Sequence, residues 1–294
     1  MTATRVFSAV AAVAALLAAV APLLAFRALN AFSSGLVRVL DYRGLSNFLA
    51  FILLASQPPH FICQSHAYKT EVVSVDPLVI YFHDFLAPAE MSQLLDAAEP
   101  LFKESLLTGN NGQVRASRRR TSRTAKLLAD DAAVECVLRR ASDVMEGMLV
   151  YPRDDIQPPQ LARYTAGQHF DVHADWFDTP QERRPDSTGV GSSWNRLASF
   201  FAILEDGCTG GETWFPHVQA PALPGDLPGP SGRSSVWREH EQGGLAFRPV
   251  KGGALFWMNL FANGTGDDRT RHAGLPVQSG LKTGMNIWPR VYYP

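Results

Sequence analysis

Cysteine is scarce: three in 294 residues, Cys63, Cys136 and Cys208. No two of them form a CxxC pair, which excludes a zinc ribbon and a thioredoxin-type redox centre. The odd number permits one disulfide at most and leaves a thiol over, so cysteine usage does not decide the redox compartment. Net charge is equally scarce. The 27 basic and 28 acidic side chains leave a formal balance of −1, so no bulk field draws the protein to nucleic acid or to an anionic membrane. The basic cluster "RRRTSR" (118–123) is too short to change that, and Arg118, Arg119 and Arg123 read as a solvated loop. No internal repeat is visible. No acidic residue precedes Asp41.

What the chain has first is an N-terminal apolar run. Residues 6–26 are 21 positions without a charge, flanked by Arg5 and Arg27. That length can span a bilayer as a helix, although nine of the 21 are Ala and Pro22 interrupts them. The run reads as a signal-anchor helix or signal peptide (1–27), which would place the protein in the endoplasmic reticulum membrane or the secretory pathway. A mitochondrial transit peptide is the alternative. Arg27, Arg38 and Arg43 outweigh Arg5 across the run, which speaks against a luminal C-terminal domain. Residues 28–68 read as a membrane-proximal linker, with a second apolar patch, "FLAFILLA" (48–55), too short to span.

From residue 69 the texture is that of a folded domain. "PLVIYF" (77–82) reads as a buried strand. "APAEMSQLLDAAEPLF" (87–102) reads as a helix with Pro88 in its first turn and Met91, Leu94, Leu95 and Ala98 at helical spacing. "DAAVECVLRRASDVMEGML" (131–149) is a second amphipathic helix. After it come "QLARYTA", "NRLASFFAIL", "GETWFP", "GLAFRPV", "GALFWMNLF" and "MNIWPRVYY", short β-rich runs separated by Gly and Pro. Two polar insertions break the pattern, at 179–193 and 218–244. Two helices followed by many short strands predict a mainly β fold, a sandwich or jelly roll with helices packed outside it.

The stretch "GQHFDVHADWF" (167–177) concentrates the chemistry. If it is extended, His169, Asp171, His173 and Asp175 share one face and Phe170, Val172 and Ala174 the other. His173 and Asp175 form an HxD pair. With eight histidines and 28 acids in the chain, such a pair is expected about once by chance. A metal site needs a third ligand, and His272 in "DRTRHAGLPV" offers one. Two neutral imidazoles and one carboxylate leave three positions of an Fe(II) ion open. A 2-oxo acid can fill two and O2 the third. Lys282, ten residues on, could pair the far carboxylate of 2-oxoglutarate, with Tyr164 or Thr213 completing its hydrogen bonds.

These residues stand in ordered motifs: "RTSRTA" (120–125), "YTAGQHFDVHAD" (164–175), "GGETWFP" (210–216), "VKGGALFWMNL" (250–260) and "RHAGLPVQSGLKTGMNIW" (271–288). In this respect the chain, from about residue 70 onward, resembles the catalytic domain of prolyl 4-hydroxylases among the Fe(II)/2-oxoglutarate-dependent dioxygenases. The resemblance implies a double-stranded β-helix (jelly roll, cupin-like) core over 69–294. It implies iron ligands at His173, Asp175 and His272, and 2-oxoglutarate held by Lys282 beside Tyr164 and Thr213. It implies peptide contacts at Arg120 and Ser122, and an aromatic of the pocket at Trp288. Many relatives have Tyr where this chain has Phe170, which removes a hydroxyl from the pocket.

The implied reaction decarboxylates 2-oxoglutarate to succinate with Fe(2+) and O2, hydroxylates proline in a peptide or protein, and draws on L-ascorbate. Two alternatives stand beside it: the same chemistry on a free amino acid or small secondary metabolite, and a non-catalytic jelly-roll binding module. "NGT" (263–265) is the one N-x-S/T sequon, so Asn263 is a glycan acceptor if the domain is luminal.

Overall fold

The computed structural model describes residues 61–108, 114–116, 118–149, 156–182, 193–219 and 236–293, the side chains of 106–108 and 114–116 excepted. The apolar run 6–26, the patch 48–55 and most of both insertions lie outside these residues. Among the described residues no helix is long and apolar enough to cross a membrane.

The order of elements begins β1 (Lys69–Val75), β2 (Leu78–His83), α1 (Pro88–Ala98), β3 (Lys103–Glu104), β4 (Leu106–Thr108), β5 (Val114–Ala116), β6 (Arg123–Lys126) and α2 (Ala132–Val144). It continues with β7 (Gln160–Thr165), β8 (Phe170–His173), β9 (Gln181–Glu182), β10 (Ser193–Arg196), β11 (Ala198–Glu205), β12 (Cys208–Gly210) and β13 (Thr213–Phe215). The last are β14 (Trp237–Glu239), β15 (Leu245–Phe247), β16 (Ala254–Met258), β17 (His272–Gly274), β18 (Val277–Ile287) and β19 (Arg290–Tyr293). The large sheet runs β1-β2-β16-β11-β18-β7-β6-β3, and a smaller one runs β14-β15-β13-β17-β8. The fold is therefore the mainly β jelly roll with flanking helices that the sequence predicts.

Strand β11 explains how the layers assemble. Its alternating residues Ala198, Phe200, Ala202 and Leu204 enter a core with α1 and α2 residues such as Leu94, Val134 and Val137. Phe201 and Ile203 face the other way, into a core with Phe215, Leu245 and Phe247 of the small sheet. A strand covered on both faces needs no polar alternation, which is why "ASFFAILE" is an apolar run. The same division holds on β16, where Phe256 packs on the helices while Leu255 and Trp257 point between the sheets.

Both helices begin as their sequences dictate. Pro88 starts α1, and the Glu90 carboxylate accepts from the Ala87 N–H at 2.8 Å. Asp131 caps α2 by accepting from the N–H groups of Ala133 and Val134. A disulfide joins Cys63 to Cys136 on α2, leaving Cys208 free. Phe61 and Tyr68 pack against the helix-side core, so the end of the segment expected as a linker is tied to the domain.

Two long runs of the sequence split. "NRLASFFAIL" breaks at Leu197 into β10 and β11, and "MNIWPRVYY" breaks at Pro289 into the end of β18 and β19. Proline has no N–H for the ladder. At that level Leu197 donates its N–H to the Pro289 carbonyl, and beyond it β10 and β19 pair in a small sheet with β9.

Candidate metal centre

Strands β8 and β17 pair antiparallel, with His173 opposite His272 and Phe170 opposite Gly274. Between those pairs β8 advances three residues and β17 two, so β8 carries a bulge. A bulge inserts one residue and breaks the alternation of faces. Phe170 therefore comes to the same side as His173, and the two rings stack with centroids 3.6 Å apart at 15°. The expectation that Phe170 faces away from His173 is corrected here: strict alternation holds only without an inserted residue.

His173, Asp175 and His272 offer ligand atoms that all lie within 4.8 Å of one another. His173 Nε2 is 3.9 Å from one carboxylate oxygen of Asp175, and His272 Nε2 is 4.0 Å from the other. Those separations exceed a hydrogen bond. Each imidazole spends its other nitrogen on a backbone carbonyl: His173 Nδ1 on Asp171 at 2.8 Å, His272 Nδ1 on Thr270 at 3.1 Å. A carbonyl only accepts, so both Nδ1 atoms carry the proton and both Nε2 lone pairs face Asp175.

Burial, with His272 as a like-charged neighbour, lowers the His173 imidazole to about 3, and burial lowers His272 as well. Burial alone would raise Asp175, but His272, His173, Arg196 and the Ser199 hydrogen bond hold its carboxyl below the usual range. Two neutral imidazoles and an ionised carboxylate on one side of a gap fit a divalent ion of borderline softness such as Fe(II) and leave positions free on its far side. His169 and Asp171 stay outside this set. His169 lends its carbonyl to the Thr121 N–H, and Asp171 supplies the carbonyl that orients His173.

Lys282 lies opposite Tyr164 in the β18–β7 ladder and is 2% exposed. Its Nζ donates to the Gly211 carbonyl at 2.6 Å and sits 5.0 Å from the Phe201 ring and 5.7 Å from the Tyr164 ring. Burial lowers its pKa to about 8. The ammonium touches one carbonyl and two ring faces, and Cys208 and the Glu212 carboxylate act on it from farther off without offsetting its burial, so a carboxylate in direct contact is the partner that would complete it. Phe201 follows Ser199 on the inward face of β11, and Ser199 touches Asp175. The lysine pocket and the histidine cluster are thus served by inward positions roughly 7 Å apart along one strand. A Cβ at Gly284 would overlap the Phe201 ring, so the glycine keeps that ring under the ammonium. Thr213 shares its face of β13 with Phe215, whose ring stacks on His272 at 5.2 Å.

At the mouth, Arg120 bridges to Phe170, and its guanidinium lies 4.9 Å over the Phe170 ring. Arg120 also donates to Ser122 Oγ at 3.2 Å and Gln160 Oε1 at 3.3 Å. Ser122 is 2% exposed and shares a 2.7 Å hydrogen bond with Ser105, so it steadies Arg120 from below. Trp288 donates its Nε1–H to Asp175 at 3.0 Å. Sequence reasoning missed Ser199, Asn259 and Arg196. Ser199 and Asn259 carried one signal, a lone polar residue inside an apolar run, as in "LASFF" and "FWMNLF", which burial makes costly without a partner, whereas Arg196, next to Asn195, carried none.

Residues 159–290 match a family described as the 2OG-Fe(II) oxygenase superfamily. Prolyl 4-hydroxylase subunit alpha-1 of Rattus norvegicus is 32% identical over 214 residues, covering 72% of this chain and 34% of that protein. Prolyl 4-hydroxylase subunit alpha-2 of Gallus gallus is 28% identical over 78% of this chain and 37% of its own length. The chain therefore spans about a third of the length of these curated relatives. Among solved structures, a viral collagen prolyl hydroxylase from Paramecium Bursaria Chlorella virus-1 aligns with a TM-score of 0.47 at 21% identity, over 79% of this chain and 99% of that one.

Proposed function

The chain belongs to the 2OG-Fe(II) oxygenase superfamily through residues 159–290, and from that premise we propose that it is a dioxygenase hydroxylating proline residues in peptides or proteins. The observation that carries this reading is a His–Asp–His cluster and a buried lysine that meet the same face of β11, through Ser199 and Phe201. Fe(II), kept ferrous by ascorbate, would supply O2 activation coupled to decarboxylation of 2-oxoglutarate to succinate and oxygen insertion into a C–H bond. The chain's residues bind and orient. His173 and His272 present Nε2 lone pairs and Asp175 a carboxylate. Lys282 would take the distal carboxylate of 2-oxoglutarate between Tyr164 and Thr213. Phe201, Phe215 and Trp257 exclude water from the interior.

Proline in a peptide is the substrate named by the relatives, and Arg120 at the mouth is a donor that could meet peptide carbonyls. The test offers proline-rich peptides to the purified protein with Fe(II), 2-oxoglutarate and ascorbate, and follows them by mass spectrometry. One added oxygen located on proline is the expected result. No gain on any peptide, from protein that binds iron, moves the reading to a free amino acid or small metabolite, which Phe170 in place of a tyrosine hydroxyl would favour. Failure to take up stoichiometric iron moves it to a binding module.

The Lys282 pocket gives a pH dependence. The ammonium that pairs with 2-oxoglutarate is lost as pH passes about 8. Affinity for 2-oxoglutarate in metal-loaded protein, measured by calorimetry, is expected to decline from pH ~7 to ~9. A flat profile would remove Lys282 from the pocket.

For location we propose the secretory pathway, with residues 6–26 retained as a signal anchor. A disulfide, Cys63–Cys136, belongs in an oxidising compartment. Asn263 sits on an exposed turn. Its Oδ1 accepts from the Thr265 N–H and Oγ1–H at 3.0 and 2.7 Å, and its Nδ2, the atom that would carry a glycan, makes no hydrogen bond among the described residues. Protein from a eukaryotic host is expected to shift on treatment with an N-glycosidase, and Asn263→Gln to abolish the shift. Wild-type protein without a glycan would count against a luminal domain.

A further inference from the structure

Asp175 Oδ1 lies 3.9 Å from His173 Nε2, whereas Oδ2, which lies 4.0 Å from His272 Nε2, is also tied down from behind. Oδ2 accepts from Ser199 Oγ at 2.7 Å and from Trp288 Nε1 at 3.0 Å, and no hydrogen bond reaches Oδ1 among the described residues. The tie has a direction. Ser199 is fully buried and has one hydroxyl proton to give. Asn259 Nδ2, also fully buried, donates to Ser199 Oγ at 2.9 Å. That fills an acceptor site of the serine and sends its proton to Asp175. The reverse amide orientation would set two acceptors, Asn259 Oδ1 and Asp175, against that single proton. Asn259 is itself anchored by backbone: its N–H donates to the Leu197 carbonyl, and its carbonyl accepts from Asp267. On the other side Arg196 lies 3.7 Å from the Trp288 ring and donates to the Asp175 main-chain carbonyl at 3.2 Å, which fixes the indole.

We infer that Asn259 and Ser199 are positioning residues, a directional relay that holds Asp175 to one-oxygen coordination of a metal and so keeps the neighbouring position open for the co-substrate. The inference rests on the metal reading of the cluster. A carboxylate whose second oxygen already accepts two hydrogen bonds has little lone-pair density left to chelate with. Freed of one, it can swing and offer both oxygens. Partners behind a ligand commonly set metal affinity in this way.

The test titrates the metal-free full chain with Mn(II), an air-stable stand-in, by calorimetry, and repeats the titration of 2-oxoglutarate into the Mn(II) protein. Ser199→Ala, whose freed carboxylate can take the neighbouring position with its second oxygen, is expected to weaken 2-oxoglutarate binding to the Mn(II) protein about tenfold and to change the Mn(II) binding isotherm and electron-resonance spectrum together. Ser199→Thr, which keeps the hydroxyl, is expected to restore both. Asn259→Leu is expected to resemble Ser199→Ala, and the double variant to lose little more than either alone, since the two act as one chain. Metal-free Ser199→Ala leaves the buried Asn259 amide without its acceptor and is expected to melt a few degrees below the parent, a loss that does not account for the change in spectrum. Parent-like 2-oxoglutarate binding and Mn(II) spectrum in Ser199→Ala would overturn the relay. So would a loss that Ser199→Thr shares and that follows metal-free destabilisation, since that marks a packing role. If the parent itself binds no Mn(II), the metal reading fails first and the relay with it.

Discussion

Replacing His173 with alanine is expected to lower 2-oxoglutarate turnover roughly a thousandfold, because a catalytic metal is worth several kcal/mol and about 1.4 kcal/mol is tenfold in rate. The variant should stay folded. His173 is at the rim of the site, its side chain 18% exposed, and its main packing partner is the Phe170 ring, a stacking worth about 1 kcal/mol. His272 is a poorer choice. It is wedged between Phe215 and Trp257, with ring centroids at 5.2 and 4.7 Å, so alanine there leaves a cavity and mixes fold with function. Turnover, iron content and melting temperature of His173→Ala, measured together, check the prediction. Near-parent turnover would remove His173 from the metal centre.

Lys282→Met is expected to weaken 2-oxoglutarate binding about a hundredfold, within the 2–5 kcal/mol lost when one partner of a buried charge pair is truncated. Methionine matches the lysine stem in length and leaves little cavity. Without co-substrate the same change should act in the opposite direction. The folded-state pKa of Lys282 is about 8 against an ordinary value of 10.5. Below about pH 8 the protein carries a buried charge that the unfolded chain hydrates freely. Between about 8 and 10.5 the unfolded chain binds the extra proton, so stability rises with pH. Lys282→Met should therefore melt higher than the parent at neutral pH, and the difference should shrink toward pH 10. A variant that binds 2-oxoglutarate normally, or that melts lower at neutral pH, contradicts the assignment.

Much of this was legible in the residues, for identifiable reasons. Strands β2, β11 and β16 are covered on both faces, so their sequences are apolar runs that announce themselves. Strand β1 escaped notice because it is an edge: Val73 is buried while Val72 and Val75 are 53% and 80% exposed, so no periodic face shows. The pairing of His173 with Asp175 followed from spacing. His272 and Lys282 needed the order of the motifs, since nothing local marks a partner about a hundred residues away. The position of Phe170 could not be read, because a bulge leaves the hydrophobic pattern untouched while it turns a side chain over. Nor could the disulfide, since nothing in the spacing of three cysteines favours Cys63 with Cys136. Ser199 and Asn259 were visible as isolated polar residues in buried runs, but only coordinates show that they meet each other and Asp175.

The central claim is that this cluster and this lysine work together as a 2-oxoglutarate-dependent dioxygenase. The most direct measurement runs the reaction under isotopically labelled dioxygen, with Fe(II), ascorbate, 2-oxoglutarate and a proline-rich peptide, and weighs both products. The account predicts one labelled oxygen in succinate and one in the hydroxylated residue, in equal amounts. Succinate without label, or a hydroxyl whose oxygen comes from water, would contradict it.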